Sequence, residues 1–177
     1  MPLAIERHIR NYVEKNHPFF STSVDNHLKW IPFATVFAVD LFGVKTRSNW
    51  KKEILLVAAT ESIRYVITDT LKKITHEDRP GPSMGHHSFP SGHTASSFAG
   101  AEMMRMELKQ TQPVLCYAGY AAATVTGILR LYKNKHWLTD VIGGAVAGVL
   151  SARLAYFLLR KRRKQKPKQP LGQDICQ

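Results

Sequence analysis

Acid is what this sequence is short of: 13 Asp and Glu stand against 25 Lys and Arg in 177 residues, a net charge of +12. That balance points to an anionic partner, whether a phosphate ester, an anionic lipid or nucleic acid. Cysteine is nearly absent as well. Cys116 lies in an apolar run and Cys176 at the C-terminal extreme, an arrangement that does not suggest a disulfide framework. No stretch alternates apolar and polar residues in the manner of a strand, so the expected fold class is all-α. Internal repeats are missing, and the length suits one domain with one core. The N-terminus lacks a signal-peptide pattern, since Glu6, Arg7, His8 and Arg10 break up its first apolar residues. Long uncharged runs are scarce too. The run 113-PVLCYAGYAAATVTGIL-129 stands out, and mean hydropathy is slightly negative at −0.21.

What is present reads as helices. Ile5, Ile9, Tyr12 and Val13 recur with charges between them, which makes an amphipathic helix for a membrane surface or for the domain's own core. After a loop rich in Ser, Asn and Pro comes 30-WIPFATVFAVDLFGV-44, short for a membrane span and carrying Asp40. The run 53-EILLVAATESIRYVIT-68 has helical period, with Glu61 and Arg64 one turn apart as an inward pair. Residues 72–90 are expected to be loop, because Pro80, Pro82 and Pro90 with Gly81 and Gly85 interrupt regular structure. Further helices are expected from near Ser91 to Lys109, from Pro113 to Leu129, and from near Trp137 to Leu159. The last contains 143-GGAVAGVLSA-152, small residues that let helices pack closely. The expected organisation is an N-terminal amphipathic, interfacial segment (1–29), a helical bundle (30–160) of about five helices, and a basic, disordered tail (161–177).

Glu61, Arg64, Glu102, Asp140 and Arg153 fall inside these helices. In a membrane bundle such residues face inward and mark function. Alternating helices would gather Lys45, Arg47, Lys51, Lys52, Lys109 and the basic run 160-RKRRKQKPK-168 at one end, cytoplasmic by the positive-inside rule. The 72–90 and 130–136 loops gather at the other end, facing the periplasm or lumen. Both loops hold unusual residues, so a site is expected there.

Three groups meet at that end: Lys72-x6-Arg79-Pro80, then Pro90-Ser91-Gly92-His93, then Arg130-x5-His136-x3-Asp140. Lys72, Arg79 and Arg130 are permanent cations, and arginine matches phosphate oxygens two at a time. Ser91 and Gly92 stand where a helix begins, so backbone N–H groups point at an anion there. Asp140, one turn from His136, can orient its imidazole. His93 stands across the anion, so that one imidazole attacks phosphorus while the other protonates the leaving oxygen.

In this order and spacing, over about residues 50–155, the three groups resemble the type 2 phosphatidic acid phosphatase (PAP2) superfamily, which includes bacterial lipid phosphatases, class A acid phosphatases and vanadium haloperoxidases. One departure is Leu129, where the family usually has serine. The resemblance implies a PAP2-type helical bundle in a bacterial inner membrane, with the site facing the periplasm and the C-terminus cytoplasmic. It implies His136 as the nucleophile of a phosphohistidine, Asp140 fixing its tautomer, and His93 as acid and then base. Lys72, Arg79, Ser91, Gly92 and Arg130 would bind the phosphoryl group, with no metal and no cofactor, because cations already neutralise the transition state. Phosphatidic acid, phosphatidylglycerol phosphate, undecaprenyl diphosphate and the phosphates of lipid A remain open as substrates, with a faint likeness to the lipid A phosphatase branch. Membrane members typically have six spans. Either a first span lies outside this sequence, or the N-terminal helix lies on the membrane surface.

His76, His86 and His87 with Asp78 lack an established metal-ligand spacing and are expected to line the entrance or shape the loop. Cys116 is expected to be packing, and Tyr117, Tyr120 and Trp137 core or interface aromatics. Two rival functions are a soluble PAP2-type acid phosphatase for small phosphomonoesters and a non-enzymatic basic module. The module would bind anionic lipid or nucleic acid with steep salt dependence, but it leaves the three motifs unexplained. Nucleic acid is therefore not an expected partner, whereas a lipid phosphate and the membrane are.

Overall fold

A computed structural model describes residues 2–81 and 85–159; the basic tail lies outside the described residues. Seven helices occur among them: α1 (Ala4–Asn16), α2 (Val24–Leu28), α3 (Ile31–Leu41), α4 (Trp50–Thr75), α5 (Gly92–Leu108), α6 (Pro113–Tyr132) and α7 (Leu138–Leu158). No strand occurs among the described residues, in keeping with the all-α expectation. Local chemistry sets the boundaries. The Asn49 side chain accepts from the Lys52 N–H to start α4, and Pro113 opens α6, where its missing N–H costs nothing. The 72–90 stretch is not loop throughout. α4 continues through Thr75 and stops at His76, which turns left-handed at φ 45°, so Lys72 stands in a helical last turn. The prolines that interrupt this stretch begin only at Pro80 and leave the preceding turn free to form.

α5 lies at the centre, packed most closely on α7 and α6 and flanked by α3 and α4. Small residues permit the approach to α7. A Cβ on Gly148 would lie 2.1 Å from the Ala95 carbonyl oxygen, and one on Gly144 would lie 2.5 Å from that of Ser91. The outer faces are apolar: Ile142, Val146, Leu150 and Phe157 of α7 and Val114 and Tyr117 of α6 are exposed. α6 and α7 are both long and apolar enough to cross a membrane. α7 thus joins the 113–129 run as an apolar span, since Asp140 and Arg153 are its only charges. Apolar outer faces on two helices of this length support membrane association.

The helix directions sort the loops as expected. The Arg47 N–H donates to the Glu107 carbonyl and the Ser48 N–H to the Glu107 carboxylate at 2.7 Å, which ties the 42–49 loop to the far end of α5. The end of α4 and the starts of α5 and α7 lie at the other end. There the N-terminal segment also docks. Glu6 of α1 accepts from Thr139 N–H at 2.9 Å and from its hydroxyl at 2.7 Å, capping α7, while α2 packs against α6 and α5.

Candidate active site

Each motif reaches this end on a different element. Lys72 is on the last turn of α4 and Arg79 on the following loop. Gly92 and His93 open α5, Arg130 is on the last turn of α6, and Asp140 is in the first turn of α7. Hydrogen bonds hold the loop after α4 in place. The Ser88 N–H donates to the Glu77 carbonyl at 2.8 Å, His87 Nδ1 pairs with the Lys72 carbonyl at 2.8 Å, and Trp137 Nε1 donates to the Asp78 carbonyl at 2.7 Å. Trp137 is therefore a buried clamp on this loop. The Ser91 N–H donates to the Asp140 carbonyl at 2.9 Å, fastening the start of α5 to that of α7.

His136 lies just before α7, 3 % exposed, with Nδ1 3.3 Å from Asp140 Oδ2. The same oxygen accepts from Ser88 Oγ at 2.5 Å and from the Trp137 N–H at 2.8 Å, so the carboxylate is immobilised. A carboxylate on Nδ1 holds the proton there and leaves Nε2 with its lone pair. Burial, only partly offset by the hydrogen bond to Asp140, pushes the His136 pKa down to about 4, with the Arg130 charge acting in the same direction. With its pKa held near 4, the imidazole is neutral at ordinary pH.

Arg79 and Arg130 each keep a buried Nε with no hydrogen-bond partner. Burial and the neighbouring Arg130 charge both lower the Arg79 pKa. Unpaired buried donors on converging cations are costly unless an anion completes them. The N–H groups of Gly92 and His93, in the first turn of α5, have no intrahelical carbonyl to bond.

Ser91 behaves differently from expectation. It is wholly buried, its N–H is taken by Asp140, and its Oγ accepts from the Thr94 hydroxyl at 2.9 Å. It caps α5 and shapes the turn, and its own N–H is not free for an anion; the helix start that presents Gly92 remains. Leu129, half-buried beside Arg130, makes no side-chain hydrogen bond.

His86 pairs with Asp78, both exposed, and His76 and His87 rings lie 5.2 Å apart. No group of three or more His, Cys, Asp or Glu residues among the described residues is placed to hold a metal ion. Cys116 is buried in the apolar core, Tyr117 is exposed on the outer face, and Tyr120 bonds Glu102.

Four polar residues near the motifs are not singled out by the sequence: Asp25, Asn26, Ser88 and Lys133. Asp25 accepts from Arg130 Nη1 at 2.7 Å and Lys133 Nζ at 2.8 Å, and Asn26 Oδ1 lies 2.9 Å from His93 Nε2. A hydroxyl at Ser88, two residues before the Pro90-Ser91-Gly92-His93 turn, is the one local signal among them.

Known proteins resemble this chain in sequence and fold. The chain is 34% identical over 140 residues, 78% of its length, to the lipid A 1-phosphatase of Porphyromonas gingivalis, of which it covers 31%. It is 35% identical over 83 residues, 41% of its length, to lipid phosphate phosphatase 2 of Arabidopsis thaliana, of which it covers 29%. The chain thus spans about three tenths of the length of these curated relatives. Among solved structures, Aquifex aeolicus LpxE superposes with a TM-score of 0.63 at 18% identity, over 88% of this chain and 96% of that one. The transmembrane PAP2 type phosphatidylglycerolphosphate phosphatase from Bacillus subtilis superposes with a TM-score of 0.64 at 18% identity, over 90% of each. The PAP2 superfamily model matches residues 33–164, which contain all three motifs, and the chain belongs to that superfamily.

Proposed function

We propose that this protein is a metal-independent phosphatase that removes a phosphate from a membrane lipid through a phosphohistidine. The observation that carries the reading is the neutral, Asp140-oriented His136 beside cations whose buried Nε donors lack partners. In the first step His136 Nε2 attacks phosphorus and the P–O ester bond breaks. The leaving oxygen takes a proton from His93. In the second step His93 accepts a proton from water, whose oxygen attacks phosphorus and breaks the P–N bond, which returns His136 neutral. Lys72, Arg79, Arg130 and the N–H groups of Gly92 and His93 hold the equatorial oxygens.

The apolar exterior of α6 and α7 supports a lipid substrate over a soluble phosphomonoester. The phosphates of lipid A come first for testing, given the relative named above, followed by phosphatidic acid, phosphatidylglycerol phosphate and isoprenyl diphosphates. The topology that goes with the reading is a bacterial inner-membrane protein with the site on the periplasmic face and the C-terminus cytoplasmic. Phosphate release by detergent-purified protein, in EDTA, on a lipid panel and on a soluble ester tests it. Release from lipid that persists in EDTA and is lost in His136→Ala is expected. Release abolished by EDTA, or retained in the variant, overturns the mechanism.

A further inference from the structure

α2 contributes no motif residue, yet two of its side chains hold two motif residues. Asp25 is 0% exposed and both its oxygens are engaged, one by Arg130 Nη1 at 2.7 Å and one by Lys133 Nζ at 2.8 Å. Lys133 is itself fixed by the Thr22 carbonyl, so the clamp closes between residues 22–25 and the end of α6. Next in sequence, Asn26 Oδ1 lies 2.9 Å from His93 Nε2. Successive helical side chains point about 100° apart. One turn of helix seated between α6 and α5 can therefore serve both. We propose that α2 is the positioning element of the site, Asp25 orienting the Arg130 guanidinium and Asn26 the His93 imidazole.

The inference rests on the phosphatase reading above. A guanidinium is a rigid plane of five donors, so fixing one Nη fixes the direction of the rest. Arg130 Nε, left buried and unpaired, is thereby aimed before any anion arrives. Burial opposes the charge on Asp25, but the hydrogen bonds from Lys133 and Arg130 outweigh it and hold the carboxyl near a pKa of about 2. The clamp is thus ionised throughout the working range. Asn26 is neutral, which suits its partner. An amide fixes the ring plane without fixing the charge, so His93 can both give and take a proton. α2 is only five residues long and has little stability by itself. Its contacts to α5 and α6 hold it in place.

The test uses the full chain in detergent with Asp25→Asn, Asp25→Glu and Asn26→Ala. Three quantities are read: orthovanadate affinity, turnover of an alkyl lipid phosphate, and turnover of p-nitrophenyl phosphate, whose leaving group needs little protonation. Asp25→Asn should weaken orthovanadate by ~10-fold or more and lower both turnovers by one common factor, with partial recovery in Asp25→Glu. Asn26→Ala should lower the alkyl ester ~10-fold more than the aryl ester, because only the alkyl leaving group depends on a positioned acid. Turnover that rises, or orthovanadate that tightens, in Asp25→Asn would make Asp25 an internal competitor for Arg130 and overturn the proposal. Equal loss on both esters in Asn26→Ala would also overturn it, and this variant decides if Asp25→Asn does not fold. If the unmodified protein binds orthovanadate but hydrolyses neither ester, the phosphatase reading fails, and the orthovanadate ratio for Asp25→Asn alone decides on the clamp.

Discussion

Two buried charge clusters use the same residue types to opposite ends. In the body of the bundle, Glu102 of α5 is 0% exposed and both its oxygens are matched. Oε1 accepts from Arg105 Nη2 at 2.7 Å and Arg153 Nε at 2.8 Å, and Oε2 accepts from Arg105 Nε at 2.8 Å and from the Tyr120 hydroxyl. That cluster joins α5, α6 and α7 and is complete. At the end bearing the motifs, Arg79 and Arg130 retain buried donors without acceptors, and Asp140 is committed to His136, Ser88 and the Trp137 N–H. A satisfied cluster holds helices together; one that keeps unpaired buried donors is open to an anion, which is the role proposed for the motif end.

The contrast can be broken by substitution. Replacing His136 with alanine removes the proposed nucleophile and should abolish phosphate release while leaving the melting temperature in detergent close to that of the unmodified protein. His93→Ala should lower turnover of an alkyl phosphate by ~10²–10⁴, measured at saturating substrate. Glu102→Ala should do the reverse. It removes the shared acceptor of Arg105, Arg153 and Tyr120 that joins α5, α6 and α7 and should lower the melting temperature, with KM unchanged in the folded fraction. The smallest effect is on pH. Because burial depresses His136 to about 4, the acid limb of kcat/KM for this group should fall near pH 4 and not near the ordinary histidine value of about 6.5. The sign for stability agrees. A depressed folded pKa leaves the stability contribution intact above about 6.5 and removes it as pH falls toward 4, because protonating a buried neutral imidazole opposes folding.

Much of the site was legible because its residues are dense in sequence and their spacing carries chemistry. The five helices of the bundle, the gathering of the 72–90 and 130–136 loops at one end, and the His136–Asp140 pair all follow from periodicity, prolines and charge, whereas α2 lies in a stretch that reads as loop. The prolines and glycines from Pro80 onward suggest a loop over the whole of 72–90, but they act only on their own neighbourhood, and nothing in 72-KKITHED-78 forbids the helical turn that carries Lys72. At Ser91 the sequence does not separate an N-cap serine from a phosphate-binding one, because both share one local pattern. Asp25 and Asn26 left no signal. They sit in a polar, aperiodic stretch, and their partners Arg130 and His93 are 105 and 67 residues away in the chain. Such contacts are made by tertiary packing, which composition and spacing do not encode. Glu6 capping Thr139 across 133 residues is of the same kind.

The central claim is that the unpaired cations seat a phosphoryl group for transfer to His136. The direct test is a single-turnover reaction with a radiolabelled lipid phosphate, quenched with base, followed by mapping of the label. A base-stable, acid-labile phosphoryl group on His136, absent from His136→Ala, is the predicted result. Phosphate released at full rate with no label on the protein, or with label on another residue, would contradict it.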